Sequence, residues 1–411
     1  MMDELLKKIK KSNLVIIAGL FAVYLLNVLF IGATNITAID TRNRKGNKFA
    51  GSFTCIECHK SIYESHIKTA HYLDSRPASK EFIKGNFESG ENKFIYNKFM
   101  EVVLEQKENT FFQTAYVNGS ATESEQFDIV IGSARKGQTY LYWKNHELFQ
   151  LPVSYFTPLN SWCNSPGYSN KYINFNRRIT PECLECHTTY AAFGADETNH
   201  PIYDKSQIIY GIDCERCHGP AAEHVAYHQT HAAEKIGRYI ISTKLMNRLQ
   251  KLDACGLCHS GFRNSIQPAF TFAVGDKLTD FSTPRYSADS VDKLDVHGNQ
   301  YGLLTASKCF KMSEMDCSTC HNVHANEAND FQLFSQKCIA CHSEISHASL
   351  NLPASKKVIL NNCIQCHMPL LPSAKIVLDV ANENKAIPDL VRTHRVGIYP
   401  SQTKAILKGL K

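Results

Sequence analysis

The chain has 411 residues, of which 16 are Cys and 18 are His, and 43% are hydrophobic. This length and composition suit one or two globular domains and exclude a disordered or collagen-like chain. The formal net charge of +6 comes from 45 basic and 39 acidic residues without a long basic run, so no nucleic-acid partner is indicated.

The first predicted element is an N-terminal targeting segment, residues 1–38. Four lysines between residues 7 and 11 precede a largely apolar run at residues 14–33. A span of about 20 residues crosses a bilayer, whereas a cleaved signal needs an apolar core of only about 7 to 15. We therefore expect a signal-anchor that tethers an exported protein to the cytoplasmic membrane. A signal peptide cleaved near Ala38 is the alternative, and both place the rest of the chain on the periplasmic side.

The cysteines form one repeated motif, Cys-x-x-Cys-His, which occurs seven times and is numbered here motif 1 to motif 7 in chain order. Thiols at i and i+3 lie on one side of a helical turn, where both reach the vinyl groups of one porphyrin, and the histidine at i+4 faces the iron. The sequence thus predicts seven covalently attached c-type haems. The predicted attachment residues are Cys55, Cys58, Cys183, Cys186, Cys214, Cys217, Cys255, Cys258, Cys317, Cys320, Cys338, Cys341, Cys363 and Cys366. The predicted proximal iron ligands are His59, His187, His218, His259, His321, His342 and His367.

Two other interpretations of the cysteines are closed zinc sites and a disulfide framework. Neither explains why a histidine follows the second cysteine every time. Cys163 and Cys309 stand outside the motifs, and the sequence leaves open whether they form a bridge or remain buried thiols.

Distal iron ligands must come from the remaining histidines, because the methionines are poorly placed; bis-histidine ligation favours low reduction potentials. The preferred candidates are His71, His224, His297, His324, His347 and His394. The seventh ligand is left open, since His228 and His231 share a helical face with His224 and are alternatives as ligands or as a small metal site. His146 and His200 are expected at the surface.

The spacing of the motifs predicts how the chain is organised. Residues 39–93 are interpreted as a tether and first haem segment. Residues 94–160 are rich in aromatic and β-branched residues and are predicted to form an inserted antiparallel β region. Residues 161–411 are predicted to form a six-haem domain of helices and loops. The expected fold class is mainly α, with much irregular structure around stacked haems.

Several local patterns resemble the multihaem cytochrome superfamily that includes hydroxylamine oxidoreductase and its tetrahaem electron acceptor. The similar stretches are Cys-Ile-Glu-Cys-His with Thr-Ala-His71, Ile131-Gly132-Ser133-Ala134, Leu151-Pro152-Val153-Ser154-Tyr155, Cys-Leu-Glu-Cys-His-Thr, Cys-Glu-Arg-Cys-His-Gly-Pro and Arg392-Thr393-His394. The resemblance implies a β-containing multihaem cytochrome and leaves the reaction open.

Two functions are weighed. In the favoured one, the protein is an electron carrier between redox partner proteins in a periplasmic respiratory pathway, with mostly bis-histidine haems. In the other, it is an oxidoreductase in which one open haem iron, at motif 2 or motif 4, binds a small nitrogen or sulfur compound, with Arg177 and Arg178 holding the anion. A haem sensor would need only one or two haems, so seven motifs argue against that class.

Overall fold

A computed structural model describes residues 41–285, 293–344, 347, 362–381 and 386–409 of the chain. The predicted targeting segment, including its apolar run at 14–33, lies outside the described residues. Within the described part, no helix combines the length and the apolarity that crossing a bilayer requires.

The helices are short, and most of them carry or flank a cysteine motif. They are α1 (Ile56–His66), α2 (Pro181–His187), α3 (Cys214–His218), α4 (Ala222–Thr230), α5 (Arg248–His259), α6 (Gln300–Thr305), α7 (Lys308–Lys311), α8 (Phe331–Ile339), α9 (Cys363–His367) and α10 (Pro400–Gly409). Two 3-10 turns, Ser52–Cys55 and Cys317–Thr319, begin motifs 1 and 5.

The strands occupy about as much of the described chain as the helices do. They are β1 (Ser75–Pro77), β2 (Lys93–Asn97), β3 (Met100–Lys107), β4 (Thr110–Val117), β5 (Ser120–Gln126), β6 (Ile129–Ile131), β7 (Gly137–Lys144), β8 (Glu147–Gln150), β9 (Val153–Phe156), β10 (Ser161–Asn164), β11 (Arg177–Arg178), β12 (Thr188–Ala195), β13 (Pro201–Tyr210), β14 (Arg263–Ser265), β15 (Ser282–Pro284), β16 (Leu370–Leu378) and β17 (Ile387–Arg392).

Strands β2 to β5 form a four-stranded antiparallel meander. Asn118 and Gly119 make the two-residue turn between β4 and β5, and both have positive φ, 52° and 76°. Asn-Gly favours this turn because its two residues tolerate the left-handed region. The aromatic and β-branched residues of 94–104 alone favour a single strand, but this stretch is divided between the two strands of the β2–β3 hairpin, which turns after Asn97.

The larger sheet follows the order β1-β6-β7-β8-β11, with β9 bonded to β7 and to β10. Alternate residues along a strand point to opposite faces, and here both faces are buried. Tyr140 and Phe149 pack with the aromatic residues of the meander. Leu141 and Leu148 face the other way, where they pack with Leu184 of α2 and with β12 and β13. Motif 2 is thereby fixed against the sheet.

The expectation of a mainly α fold is wrong. Antiparallel pairs also form outside residues 94–160: β12 with β13 directly after motif 2, β14 with β15, and β16 with β17 after motif 7. The short segments between motifs bury their backbone polar groups by pairing as hairpins as well as by forming helices, because each buried N–H and C=O needs a partner.

Candidate haem-binding sites

Each of the seven motifs lies on a helical turn, as attachment of one porphyrin by two thiols requires. Asp213 and Asp316 begin the turns of motifs 3 and 5 by accepting backbone N–H groups. A capping box of Asn247 and Gln250 begins α5, which ends in motif 4. The fifth and sixth motifs close with backbone bonds from the histidine N–H to the carbonyl of the first cysteine, 3.0 Å in both.

Four motif histidines face a second histidine ring across a gap of nearly constant width. The ring centroids are separated by 6.0 Å for His259 and His71, 6.1 Å for His218 and His324, 6.2 Å for His321 and His394, and 6.2 Å for His367 and His347. A metal ion held by one nitrogen of each ring at about 2 Å would need centroids about 6 Å apart. These residues therefore fit a bis-histidine haem iron at motifs 3, 4, 5 and 7.

The protonation of these rings suits ligation, because only a neutral imidazole has a free lone pair for a metal. Burial lowers the pKa of His71 and that of His394 to about 4, and the facing motif histidines act in the same direction. Burial also lowers the pKa values of His259, His321 and His324.

Three motif histidines have Nδ1 hydrogen-bonded to a neutral oxygen, which leaves Nε2 for the iron. His218 donates to the Ile241 carbonyl and His367 to the Gly397 carbonyl, both at 2.9 Å. His259 lies 3.3 Å from the Gln300 side-chain oxygen. Such partners fix the ring tautomer and the ring orientation.

His187 of motif 2 has a different partner, the carboxylate of Asp74, whose Oδ2 accepts from Nδ1 at 2.8 Å. Burial lowers the pKa of His187, but the hydrogen bond and the charge of Asp74 outweigh it and raise the pKa above its ordinary value. Asp74 was not predicted from the sequence, because an aspartate 113 residues before the histidine carries no local motif.

The other predicted distal ligands are placed differently. His297 lies in the neighbourhood of His187 of motif 2. Its Nδ1 is 4.0 Å from the Oδ2 atom of Asp389. His224 donates from Nδ1 to the Arg238 carbonyl at 2.8 Å, and its ring packs against His228. Across the part of the chain that the structure describes, no histidine ring faces those of His59, His187 or His342.

His66 lies five residues before His71, and both of its ring nitrogens face backbone carbonyl oxygens. Its Nδ1 lies 3.4 Å from the Val323 carbonyl and its Nε2 lies 3.2 Å from the Ile212 carbonyl. Both nitrogens are thus directed at acceptors, and His71 is the residue that faces a motif histidine.

Two arginines and two cysteines outside the motifs were also considered as site residues. Arg177 donates to the Pro166 carbonyl at 2.7 Å, and Arg178 forms an ion pair with Glu147 at 2.5 Å. Cys163 is buried and unbridged, and burial raises its pKa to about 12. Cys309 is likewise unbridged.

Motifs 1 and 3 are in direct contact. The thiol groups of Cys55 and Cys214 lie close together. Glu215, a variable residue of motif 3, accepts the backbone N–H groups of Ala50 and Gly51 at 2.8 Å each, just before motif 1.

Motif 2 touches both motif 3 and motif 4. Arg216 of motif 3 donates to the carbonyl of Glu185 in motif 2 at 2.9 Å and lies 4.0 Å from its carboxylate. The thiol of Cys186 in motif 2 lies 3.9 Å from the Leu257 carbonyl oxygen of motif 4 and is close to the thiol of Cys258. The variable positions of the motifs therefore join neighbouring motifs, which their spacing alone could not indicate.

Motif 4 lies next to motif 5 in space. The thiol groups of Cys255 and Cys317 lie close together. Lys251 of α5 lies 3.6 Å from Asp316, the residue that begins the turn of motif 5.

Motifs 5, 6 and 7 complete the series. The thiol of Cys338 in motif 6 lies near that of Cys320 in motif 5 and near that of Cys363 in motif 7. Ser335 of α8 accepts the Cys363 backbone N–H at 3.0 Å. The contacts thus run in space through motifs 1, 3, 2, 4, 5, 6 and 7.

Comparison with known proteins supports one class. A family model described as "Cytochrome c554 and c-prime" matches residues 163–219, which hold motifs 2 and 3. This match supports c-type cytochrome character for the segment that holds motifs 2 and 3.

One solved structure is similar over most of both chains. It is described as the crystal structure of outer cell wall cytochrome OcwA, and its TM-score is 0.50 at 15% sequence identity. The similarity covers 87% of this chain and 81% of that chain. No curated protein matches.

Gly211 packs against the turn that carries His71. Replacing Gly211 with alanine is expected to displace this turn. Gly211 has φ +67°, and a Cβ there would lie 2.3 Å from the Tyr72 carbonyl oxygen. The left-handed backbone and the clash together predict a loss of about 2 kcal/mol or more in the free energy of unfolding. Denaturant titration measures this loss. Gly119→Ala, at φ +76° with nothing within 4 Å, is the control, and equal losses in the two variants would contradict the account.

Proposed function

We propose that the chain is an exported heptahaem c-type cytochrome that passes electrons through mostly bis-histidine haems between redox partner proteins in a periplasmic respiratory pathway. The four pairs of facing histidines carry the proposal. Each haem supplies one-electron redox chemistry at its iron. The superfamily of hydroxylamine oxidoreductase and its tetrahaem acceptor is the proposed relation, and the family match at residues 163–219 supports it.

The contacts between motifs support a continuous path. Haems held at motifs in contact would lie next to one another, so the proposed order is haems 1, 3, 2, 4, 5, 6 and 7. Carriers need such adjacency because each electron moves only between close neighbours. Cys217 also lies in the neighbourhood of Cys258, so motif 3 is near motif 4, and this offers a second route past motif 2.

Export is proposed on chemical grounds. The cysteine motifs require attachment of haem outside the cytoplasm, where unoccupied thiol pairs are otherwise oxidised. The similar solved structure is described as an outer cell wall cytochrome, which agrees with an exported position.

Electron paramagnetic resonance of the oxidised holoprotein, with and without nitrite or hydroxylamine, tests the carrier function. The expected spectrum is dominated by low-spin ferric haem, because two imidazoles complete the coordination of an iron, and neither compound changes it. A high-spin signal that shifts when either compound is added would contradict a pure carrier.

An oxidoreductase with one open haem is the second candidate. The observation that favours it is that no histidine ring faces His59, His187 or His342 within the residues described. A signal that responds to nitrite in the wild type, and is lost when Cys183 and Cys186 are both replaced by serine, would assign the open iron to motif 2.

A further inference from the structure

The turn from His71 to Asp74 reaches two motifs at once. The His71 ring faces His259 of motif 4 at 6.0 Å, and Asp74 accepts the hydrogen bond of His187 in motif 2 at 2.8 Å. The backbone N–H of Asp74 donates to the His71 carbonyl at 3.1 Å, so the two side chains leave the same turn. The Ile212 N–H, which donates to the His71 carbonyl at 2.8 Å, fixes the turn beside motif 3.

The partner of His187 differs from those of the other motif histidines. His218 and His367 donate to backbone carbonyls, and His259 lies against an amide oxygen, all of them neutral groups. His321 has a carboxylate nearby, but Glu327 lies 3.7 Å away, beyond hydrogen-bonding distance. Among the described motif histidines, His187 has the one carboxylate within hydrogen-bonding distance.

A carboxylate on Nδ1 changes the ligand. It draws the Nδ1 proton towards itself, and the imidazole becomes a stronger electron donor at Nε2. A stronger donor stabilises the ferric iron relative to the ferrous iron, and this lowers the reduction potential. A backbone carbonyl does the same far more weakly, because it carries no full charge.

We propose that Asp74 is a positioning residue that holds haem 2 at a low reduction potential through His187. The proposal rests on the proposed function, because it requires a haem at motif 2. Motif 2 lies between motifs 3 and 4 in the series of contacts. With a lower reduction potential than its neighbours, haem 2 would be an energetically uphill step in the middle of the path and would be reduced after them. At a small driving force, electrons would therefore pass directly from haem 3 to haem 4.

The test is a redox titration of the holoprotein followed by electron paramagnetic resonance, with wild type, Asp74→Asn and Asp74→Glu. We expect one midpoint potential to rise in Asp74→Asn and the rest to stay. Asp74→Glu keeps the carboxylate, so its shift is expected to be smaller. The midpoint potential that shifts must belong to the haem that is absent when Cys183 and Cys186 are both replaced by serine.

Asp128→Asn is the matched control. The carboxylate of Asp128 accepts the backbone N–H of Trp143 in β7 at 2.7 Å, so it stabilises the sheet and not a motif histidine. All midpoints should stay in this variant. Unchanged midpoints in Asp74→Asn, or a shift of a component other than haem 2, would overturn the proposal. If Asp74→Asn does not accumulate, Asp74→Ser, which also lacks the carboxylate, is titrated in its place, and the same single rise is expected. A wild type that lacks covalent haem would refute the proposed function instead.

Discussion

Replacing His71 with alanine is expected to convert one haem from low spin to high spin. His71 faces His259 at 6.0 Å, and burial keeps its imidazole neutral, so the variant would remove the proposed distal ligand of the iron at motif 4. A five-coordinate ferric iron is high spin and opens a position for small ligands. Electron paramagnetic resonance of the oxidised variant should show a new high-spin signal that cyanide converts back to low spin.

His200→Ala is the control for this experiment. His200 is bonded to Thr198 at 2.7 Å in a polar loop and faces no motif histidine. Its spectrum should match that of the wild type. A His71→Ala spectrum without a new high-spin signal would show that His71 does not ligate haem 4. The same signal in His66→Ala would assign the ligand to the neighbouring histidine.

Replacing Glu215 with alanine is expected to destabilise the protein by several kcal/mol. The buried Glu215 side chain accepts three backbone N–H groups, those of Ala50 and Gly51 at 2.8 Å and that of Ala221 at 2.7 Å. A buried donor left without a partner costs about 1–3 kcal/mol, and the variant leaves three. Burial raises the pKa of Glu215 although the three N–H groups oppose this shift, so the carboxyl group is held in a site with little water.

Denaturant unfolding of the purified holoprotein measures the loss, and the yield of exported holoprotein gives a second readout. Glu182→Ala is the matched control, because Glu182 is exposed in the first turn of α2. The control should unfold as the wild type does. If both variants lost the same small amount, the three hydrogen bonds would not hold motif 1 to motif 3 as described.

The sequence predicted well what depends on local spacing. The motifs were found from the positions of cysteine and histidine, and they lie on helical turns, because four residues are enough to define such a turn. The turn at Asn118 and Gly119 has a local sequence signature of the same kind, since positive φ at two consecutive residues has a distinct residue preference.

What depends on contacts between distant residues could not be predicted. The pairing of His71 with motif 4 and of Asp74 with motif 2 is set by how the turn packs between motifs, and residues so far apart in the chain leave no periodicity to detect. Glu185 and Arg216 sit at variable positions of their motifs and gave no indication of joining them. The mainly α expectation failed because short segments such as 370–378 were interpreted as loops around haem, whereas they pair as hairpins.

Mass spectrometry of the intact, purified and exported protein counts its covalently bound haems. We expect a mass equal to the mature polypeptide plus seven haem groups, with fourteen cysteines resistant to alkylation after denaturation and reduction. A mass with fewer haems, or a bare polypeptide whose motif cysteines all react with the alkylating reagent, would contradict it.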